Sequence, residues 1–311
     1  NISREALKQY FKYMYVPAPY SIFEGIYKLE PGCILSMQSP PQKEPTDLFH
    51  FQDQNELQYE SIKISKWYRF KDIVNKCANH QINDELEASN LLESQLNETI
   101  SIQSLADVPL GAFLSGGVDS SAIVALMQKQ SIAPIKTFTI GFEETQFDES
   151  EYAQSVASHL KTDHHEMRVT SQDALTFIPQ LPSVYDEPFA DSSQIPTYFV
   201  SQAAKKEVTV SLSGDAGDEL FGGYNRYLMV PNLWKKINWL PFHIRKLLGS
   251  SIRSLPMGFW DKIGDIYNVT RAESMGVNRL GDKITKTALR LKNVNSIDAL
   301  YKSLVSEWSN P

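Results

Sequence analysis

The sequence predicts an α/β protein in which a parallel sheet is covered by helices on both faces and is followed by a helical C-terminal region. Three observations predict this class. From Glu85 to Ser213, short apolar runs alternate with helical patterns about 10–15 residues long, as right-handed βαβ units require. Two of the runs end in glycine-rich acidic turns, where open parallel sheets place their crevices. Beyond Phe221 the strand pattern stops, and helical stretches broken at Pro231, Pro241 and Pro256 take over through residues 228–311.

Each element follows from its own pattern. Apolar side chains at helical spacing predict a helix over residues 4–15, ended by Pro17 and Pro19; VPAPYSIFEGIYKLEPG is then an irregular connection that packs. Residues 33–35 and 62–70 predict short strands around PPQKEPTDLFHFQDQNELQ, which reads as an exposed polar loop. Leu86, Leu91, Leu92, Leu96 and Ile100 recur as on one face of a helix, which is placed over 85–105. Val108 to Leu114 is a buried strand, and Ser121 to Lys129 a helix. A strand over 135–142, a helix over 149–160 and a strand over 164–169 follow. A helix over 195–206 and the strand Val208 to Ser213 complete the alternation.

Composition narrows the partners. The 311 residues carry 30 Lys and Arg against 37 Asp and Glu, a formal charge of −7, which does not favour a nucleic-acid backbone or an anionic membrane surface. No run of about 18 apolar residues occurs. The start, NISREALKQYFKYMYVP, mixes charges with aromatics where a signal peptide would be apolar, so the chain is expected in the cytoplasm. Cys33 and Cys77 have no partner spacing; each is expected as a small buried or half-buried residue in a reducing compartment.

Two motifs carry chemistry. Ser115-Gly116-Gly117-Val118-Asp119-Ser120 joins a buried strand to a helix, so its backbone N–H groups converge at a helix N-terminus that favours an anion. Gly116 and Gly117 permit close approach, and Ser115, Ser120 and Ser121 add hydroxyls. The lysine of a P-loop is absent, and Asp119 stands among the expected phosphates, which calls for a cation between them. An ordinary tight turn before an early-helix acid is the plainer reading. The second motif, SLSGDAGDELFGGY over Ser211–Tyr224, follows another strand and crowds Asp215, Asp218 and Glu219 together; such acids repel unless protons or metal intervene.

Together these segments resemble the asparagine synthetases, within the ATP pyrophosphatases that carry an SGGxDS loop. ADVPLGAFLSGGVDSSAIVAL, FTIGFEE, DEPFADSSQIPTYFVSQAAKK and VSLSGDAGDELFGGYNRY are similar to this family in the right order. The connection after the first helix is similar to the segment that joins glutaminase to synthetase domain. The resemblance is specific over about residues 7–35 and 85–227.

It implies a sheet of the adenine nucleotide α-hydrolase type, with residues 1–66 as junction and remnant strands, 67–227 as the ATP pyrophosphatase domain and 228–311 as its helical part. It implies that ATP, with Mg²⁺, adenylates the side chain of L-aspartate. Ammonia from glutamine then yields L-asparagine, AMP and pyrophosphate. Leu114, Ser115, Gly116, Gly117, Asp119, Ser120, Ile140, Ser213 and Gly214 would bind the nucleotide, Asp119 and Asp218 the Mg²⁺, and Asp215 would serve catalysis. Asp215 stands where well-studied members have a longer glutamate, and Ala216 replaces a common glycine, which reads as a small change. A glutaminase domain in the full-length chain is the implied partner, and a homodimer is compatible with the family.

Departures from the family pattern shape the expectation. No N-terminal cysteine is present to act as glutaminase nucleophile, and residues 228–311 contain neither the basic lysine stretch nor an RxPFLD-like segment. The chain is therefore expected to be an excised piece, weak or inactive alone. Alternatives are an amide-forming relative acting on another carboxylate, such as a sugar acid or β-lactam precursor, and an ATP-binding homologue without ligase activity. A tRNA-thiolating relative would need catalytic cysteines and a basic surface.

Other residues are weighed down by simpler roles. His164-His165 in a strand point to opposite faces and are expected to share no metal. Asp186-Glu187-Pro188 and Asp191-Ser192-Ser193 could border a substrate or cap the following helix. Trp67, Tyr68, Phe70, Trp234, Trp239 and Trp260 are expected as packing aromatics.

Overall fold

The computed structural model describes residues 1–40, 55–143, 148–256, 258–263 and 280–308. The chain forms two compact units, Asn1–Gly217 and Asp218–Pro311.

In the first unit, Ser3 caps helix α1 (Arg4–Tyr13) by accepting from the Ala6 N–H, and Ala6 packs on Val16 and Ile22. Strands β1 (Cys33–Met37), β2 (Glu56–Tyr59) and β3 (Ile62–Lys66) form an antiparallel sheet in the order β1-β3-β2. Ile62 and Ile64 alternate inward and pack against Cys33, Leu57 and Tyr59. Strand β2 corrects the expected loop: Leu57 and Tyr59 supply two inward side chains in a stretch whose polar composition hides them. The rest of that insert, residues 41–54, lies outside the described residues. The strand expected over 62–70 stops at Lys66, and Phe70–Cys77 is helix α2. Trp67, Tyr68, Phe70, Trp239 and Cys77 are exposed, contrary to expectation.

Helix α3 (Glu85–Gln103) is capped by Asp84, which accepts from the Glu87 N–H. Then come β4 (Leu110–Phe113), α4 (Val118–Gln130), β5 (Lys136–Phe142), α5 (Ser150–Leu160) and β6 (Asp163–Val169). Two short helices unexpected from the sequence, α6 (Ser171–Phe177) and α7 (Leu181–Val184), precede α8 (Gln194–Ala204) and β7 (Val210–Leu212). The four strands β4 to β7 are all parallel, in the order β6-β5-β4-β7. Alternation sends Ala112 and Leu114 to one face, against Ile100, Val124, Met127, Ala153 and Ala157. On the other face, Phe113 and Phe138 meet Val200, Ala204 and Val208. Helices thus cover both faces, as the sequence predicts, and bury the strands as parallel sheets require.

Glu187 fastens the connection after α1 to the chain before α8. It accepts from the Ile22 N–H at 2.7 Å and pairs with Lys28 Nζ at 2.6 Å, while Lys28 also donates to Val16 O. Asp191 accepts from the Ser193 N–H in the turn just before α8, whose N-terminus no side chain caps, so the fastening is the work of Glu187. Burial pushes the Glu187 carboxyl up, but the bonds from Lys28 and Ile22 outweigh it and hold the group below its ordinary 4.5. Its stabilisation is therefore present above pH 4.5 and lost as pH falls through the lower folded-state value. Glu187→Gln should cost about 1 kcal/mol at neutral pH, allowing for solvent access, and should flatten the acid limb of stability. Melting curves at pH 7 and about pH 3 check this, since the variant should lose less on acidification than the natural chain.

In the second unit, helices α10 (Asn225–Ile237), α11 (Phe242–Ser254), α12 (Leu280–Asn293) and α13 (Ile297–Val305) follow a short turn of helix, α9 (Gly217–Phe221), that spans the boundary. Val230, Val294 and Leu300 form their core. Pro231 lies inside α10 rather than breaking it, which costs that helix one backbone bond. Gly249 lets α11 approach α12, because a Cβ there would run into Ala288 O. Buried Arg245 donates to Leu240 O at 3.0 Å and Val294 O at 2.9 Å, satisfying its charge with carbonyls. Residues 257, 264–279 and 309–311, part of the helical prediction, lie outside the described residues.

Candidate nucleotide site

The strand order decides where the two motifs meet. The chain runs β4 to β5 to β6 in one direction and then returns to place β7 on the other side of β4. Ligands of open parallel sheets bind at such a reversal, beyond the carboxyl ends of the strands. The SGGVDS turn follows β4 and the SGDAGDE turn follows β7, with Ala112 paired to Leu212. The reversal therefore falls between the two motifs.

Gly116 has φ +81°, and a Cβ there would lie 2.6 Å from both the Ala153 N and the Tyr152 Cβ, so the loop is pressed on the first turn of α5. Gly117 is the N-cap of α4 and no side chain caps that end, leaving its first N–H groups as anion donors. The Ser120 hydroxyl is engaged inside the loop. It accepts from the Ser115 N–H at 3.2 Å, donates to Gly117 O at 3.3 Å and lies 3.0 Å from Ser115 Oγ.

The second loop abuts the first. A Cβ on Gly214 would lie 2.7 Å from the Ser120 N and 3.0 Å from the Asp119 Cβ. A Cβ on Gly217 would lie 2.5 Å from an Asp119 carboxylate oxygen, and Asp218 is the next residue in the chain. Ser213 Oγ donates to Asp215 Oδ2 at 2.9 Å and so orients that carboxylate. Leu114, Ser115 and Ile140 line one cleft of about 310 Å³, whose apolar walls include Phe138, Phe142, Pro196 and Val200. Such a cleft beside a loop of anion donors suits a flat apolar base joined to phosphates.

Asp119 and Asp218 are half-buried, and among the described residues neither carboxylate accepts a hydrogen bond or ion pair. By contrast, Asp215 is held by Ser213 and Glu219 by Tyr224. No group of three or more His, Cys, Asp or Glu able to hold a metal occurs among the described residues. A carboxylate without a partner is the kind of oxygen ligand that hard divalent cations take, usually one or two carboxylates together with phosphates and water. The Tyr224–Glu219 bond holds the glutamate below its ordinary range and pushes the tyrosine up to about 12. His164 and His165 diverge as predicted. His164 bonds to Thr137 Oγ1 at 2.9 Å and burial pushes its pKa down, whereas the His165 ring stacks on Phe138.

Residues 91–310 match the asparagine synthase family. The chain belongs to the asparagine synthase family. It is 37% identical over 229 residues to a Methanocaldococcus jannaschii protein provisionally named asparagine synthetase (glutamine-hydrolyzing) 2, covering 73% of this chain and 40% of that one. It is 32% identical over 262 residues to asparagine synthetase (glutamine-hydrolyzing) 1 of Bacillus subtilis, covering 84% and 37%. Escherichia coli asparagine synthetase B is 31% identical over 169 residues, covering 49% and 30%. The chain thus spans about two fifths or less of the length of these relatives. Among the described residues no helix is long and apolar enough to cross a membrane.

Two features escaped the sequence reading of this asparagine synthase chain. Ala216 is not a neutral replacement for glycine: it has φ +72°, in the left-handed region where a Cβ is penalised. Ala216→Gly should stabilise the first unit by about 0.5–1 kcal/mol. A raised urea midpoint at unchanged slope is the expected readout, and a lowered midpoint would contradict it. The second feature is the partner of Glu219, since the tandem glycines of FGGY fold Tyr224 back onto it.

Proposed function

We propose that this asparagine synthase chain carries the ATP chemistry of amide formation, converting L-aspartate to L-asparagine through a β-aspartyl-AMP intermediate. The observation that carries the reading is the abutment of the SGGVDS and SGDAGDE loops at the strand-order reversal, with Gly214 against the first turn of α4.

In this reading residues 67–227 are the catalytic domain, 1–66 the junction toward a glutaminase domain that supplies ammonia, and 228–311 its helical part. The cleft of Leu114 and Ile140 holds adenine, while Ser115, Gly116, Gly117 and the free N–H groups of α4 hold the β and γ phosphates. Ser213 and Gly214 border the α-phosphate. Asp119 and Asp218 would each offer a carboxylate oxygen to Mg²⁺, which when bound would supply charge neutralisation for the departing pyrophosphate. A lysine aimed at the γ-phosphate is unnecessary, because the bond that breaks joins the α-phosphorus to the bridging oxygen.

The aspartate side-chain carboxylate attacks that phosphorus and pyrophosphate leaves. Ammonia then forms the C–N bond at the acyl carbon, the C–O bond breaks, and AMP leaves. Asp215, oriented by Ser213, assists formation and breakdown of the adenylate. The test is pyrophosphate release by the full-length protein from Mg-ATP and ammonium, with and without L-aspartate. Aspartate-dependent release with equal AMP and asparagine is expected; release indifferent to aspartate contradicts the reading.

A further inference from the structure

Helix α9 has five residues, too few to fix a side chain by its own backbone bonds. Its C-terminal end is closed by other means. Gly222 takes φ +71°, and the Gly223 N–H donates to Asp218 O at 3.0 Å, the six-to-one bond of a Schellman motif. One residue later, the Tyr224 hydroxyl donates to Glu219 Oε1 at 2.6 Å. The Arg226 guanidinium sits 4.5 Å from the Tyr224 ring centroid and steadies the ring. Asp218 lies inside this double closure, and any Cβ on Gly223 would overlap its Oδ1. Glu219 has one oxygen occupied by Tyr224, whereas the Asp218 carboxylate is left without a partner among the described residues.

We propose that the Gly222–Tyr224 turn is a positioning device for Asp218, in which Tyr224 immobilises α9 through Glu219 and Gly223 leaves room for one carboxylate orientation. The inference rests on the reading of Asp218 as a Mg²⁺ ligand. Tyr224 and Glu219 are positioning residues, engaged with each other rather than with substrate. Residues that orient metal ligands commonly change metal affinity by about 10- to 100-fold, and one orienting bond belongs at the low end of that range.

The test uses the full-length protein with an ATP analogue whose α–β bridge is a methylene group, and measures bound Mn²⁺ by electron paramagnetic resonance. Tyr224→Phe keeps the ring and its cation contact. It should weaken Mn²⁺ about tenfold, with the melting temperature within about 2 °C of the natural protein. Glu219→Gln retains an acceptor for Tyr224 and should bind Mn²⁺ nearly as the natural protein does. Asp218→Asn is the reference for the underlying reading. If it weakens Mn²⁺ and Tyr224→Phe does not, positioning by Tyr224 is overturned while the metal reading survives. If Asp218→Asn changes nothing, the metal reading fails and takes the proposal with it. Should Tyr224→Phe lower the melting temperature, Gly223→Ala decides: weakened Mn²⁺ at unchanged melting temperature supports the device, and unchanged Mn²⁺ overturns it.

Discussion

Gly116→Ala should destabilise the first unit by about 2–5 kcal/mol and abolish retention of ATP. Two costs add. An alanine at φ +81° pays about 1–2 kcal/mol for the left-handed conformation. The new methyl would also lie 2.6 Å from the Ala153 N and the Tyr152 Cβ, and backbone at the start of a helix cannot yield as a flexible side-chain end can. Relief of such overpacking typically costs another 1–3 kcal/mol. The loop must shift away from α5, and the N–H groups lose their common focus. Urea unfolding and ATP-analogue binding measure the two effects. Gly117 is the internal control, because its nearest contact would be Ser115 Oγ at 3.3 Å, so Gly117→Ala should cost much less stability.

Asp119→Asn should leave the fold intact and lower aspartate-dependent pyrophosphate release by about a thousandfold, the scale on which loss of one group that stabilises transition-state charge acts. The carboxylate is half-buried, accepts no bond among the described residues and lies at the first turn of α4 beside Gly217. An amide of the same shape keeps those contacts and removes only the charge. Excess Mg²⁺ should recover part of the rate if the group binds metal. A full rate at ordinary Mg²⁺ would remove Asp119 from the site.

The parallel sheet was legible because strands buried on both faces are nearly continuous apolar runs, as IKTFTIGF is, and because helices of eleven to nineteen residues lie between or before them. Short elements were not. Strand β2 offers only Leu57 and Tyr59 as inward residues, and α6 and α7 are too brief to establish a helical period. The two glycine-rich loops announced themselves by composition, but not their abutment. That depends on β7 pairing with β4, a fact of strand order that a linear sequence does not carry. The same limit hid the hydroxyl of Ser120, which faces into its own loop, and the return of Tyr224 to Glu219. Ala216 looked harmless because residue identity carries no φ; only the path between Gly214 and Gly217 makes it a left-handed position.

Which bond of ATP is broken, and by what, decides the chemistry proposed for this site. The direct measurement supplies the full-length protein with Mg-ATP, ammonium and L-aspartate labelled with ¹⁸O in its side-chain carboxylate, and follows the label by ³¹P resonance. Attack on the α-phosphorus predicts one labelled oxygen in AMP for each asparagine formed, with unlabelled pyrophosphate. Label in inorganic phosphate accompanied by ADP, or AMP free of label, would contradict an acyl adenylate formed at this site.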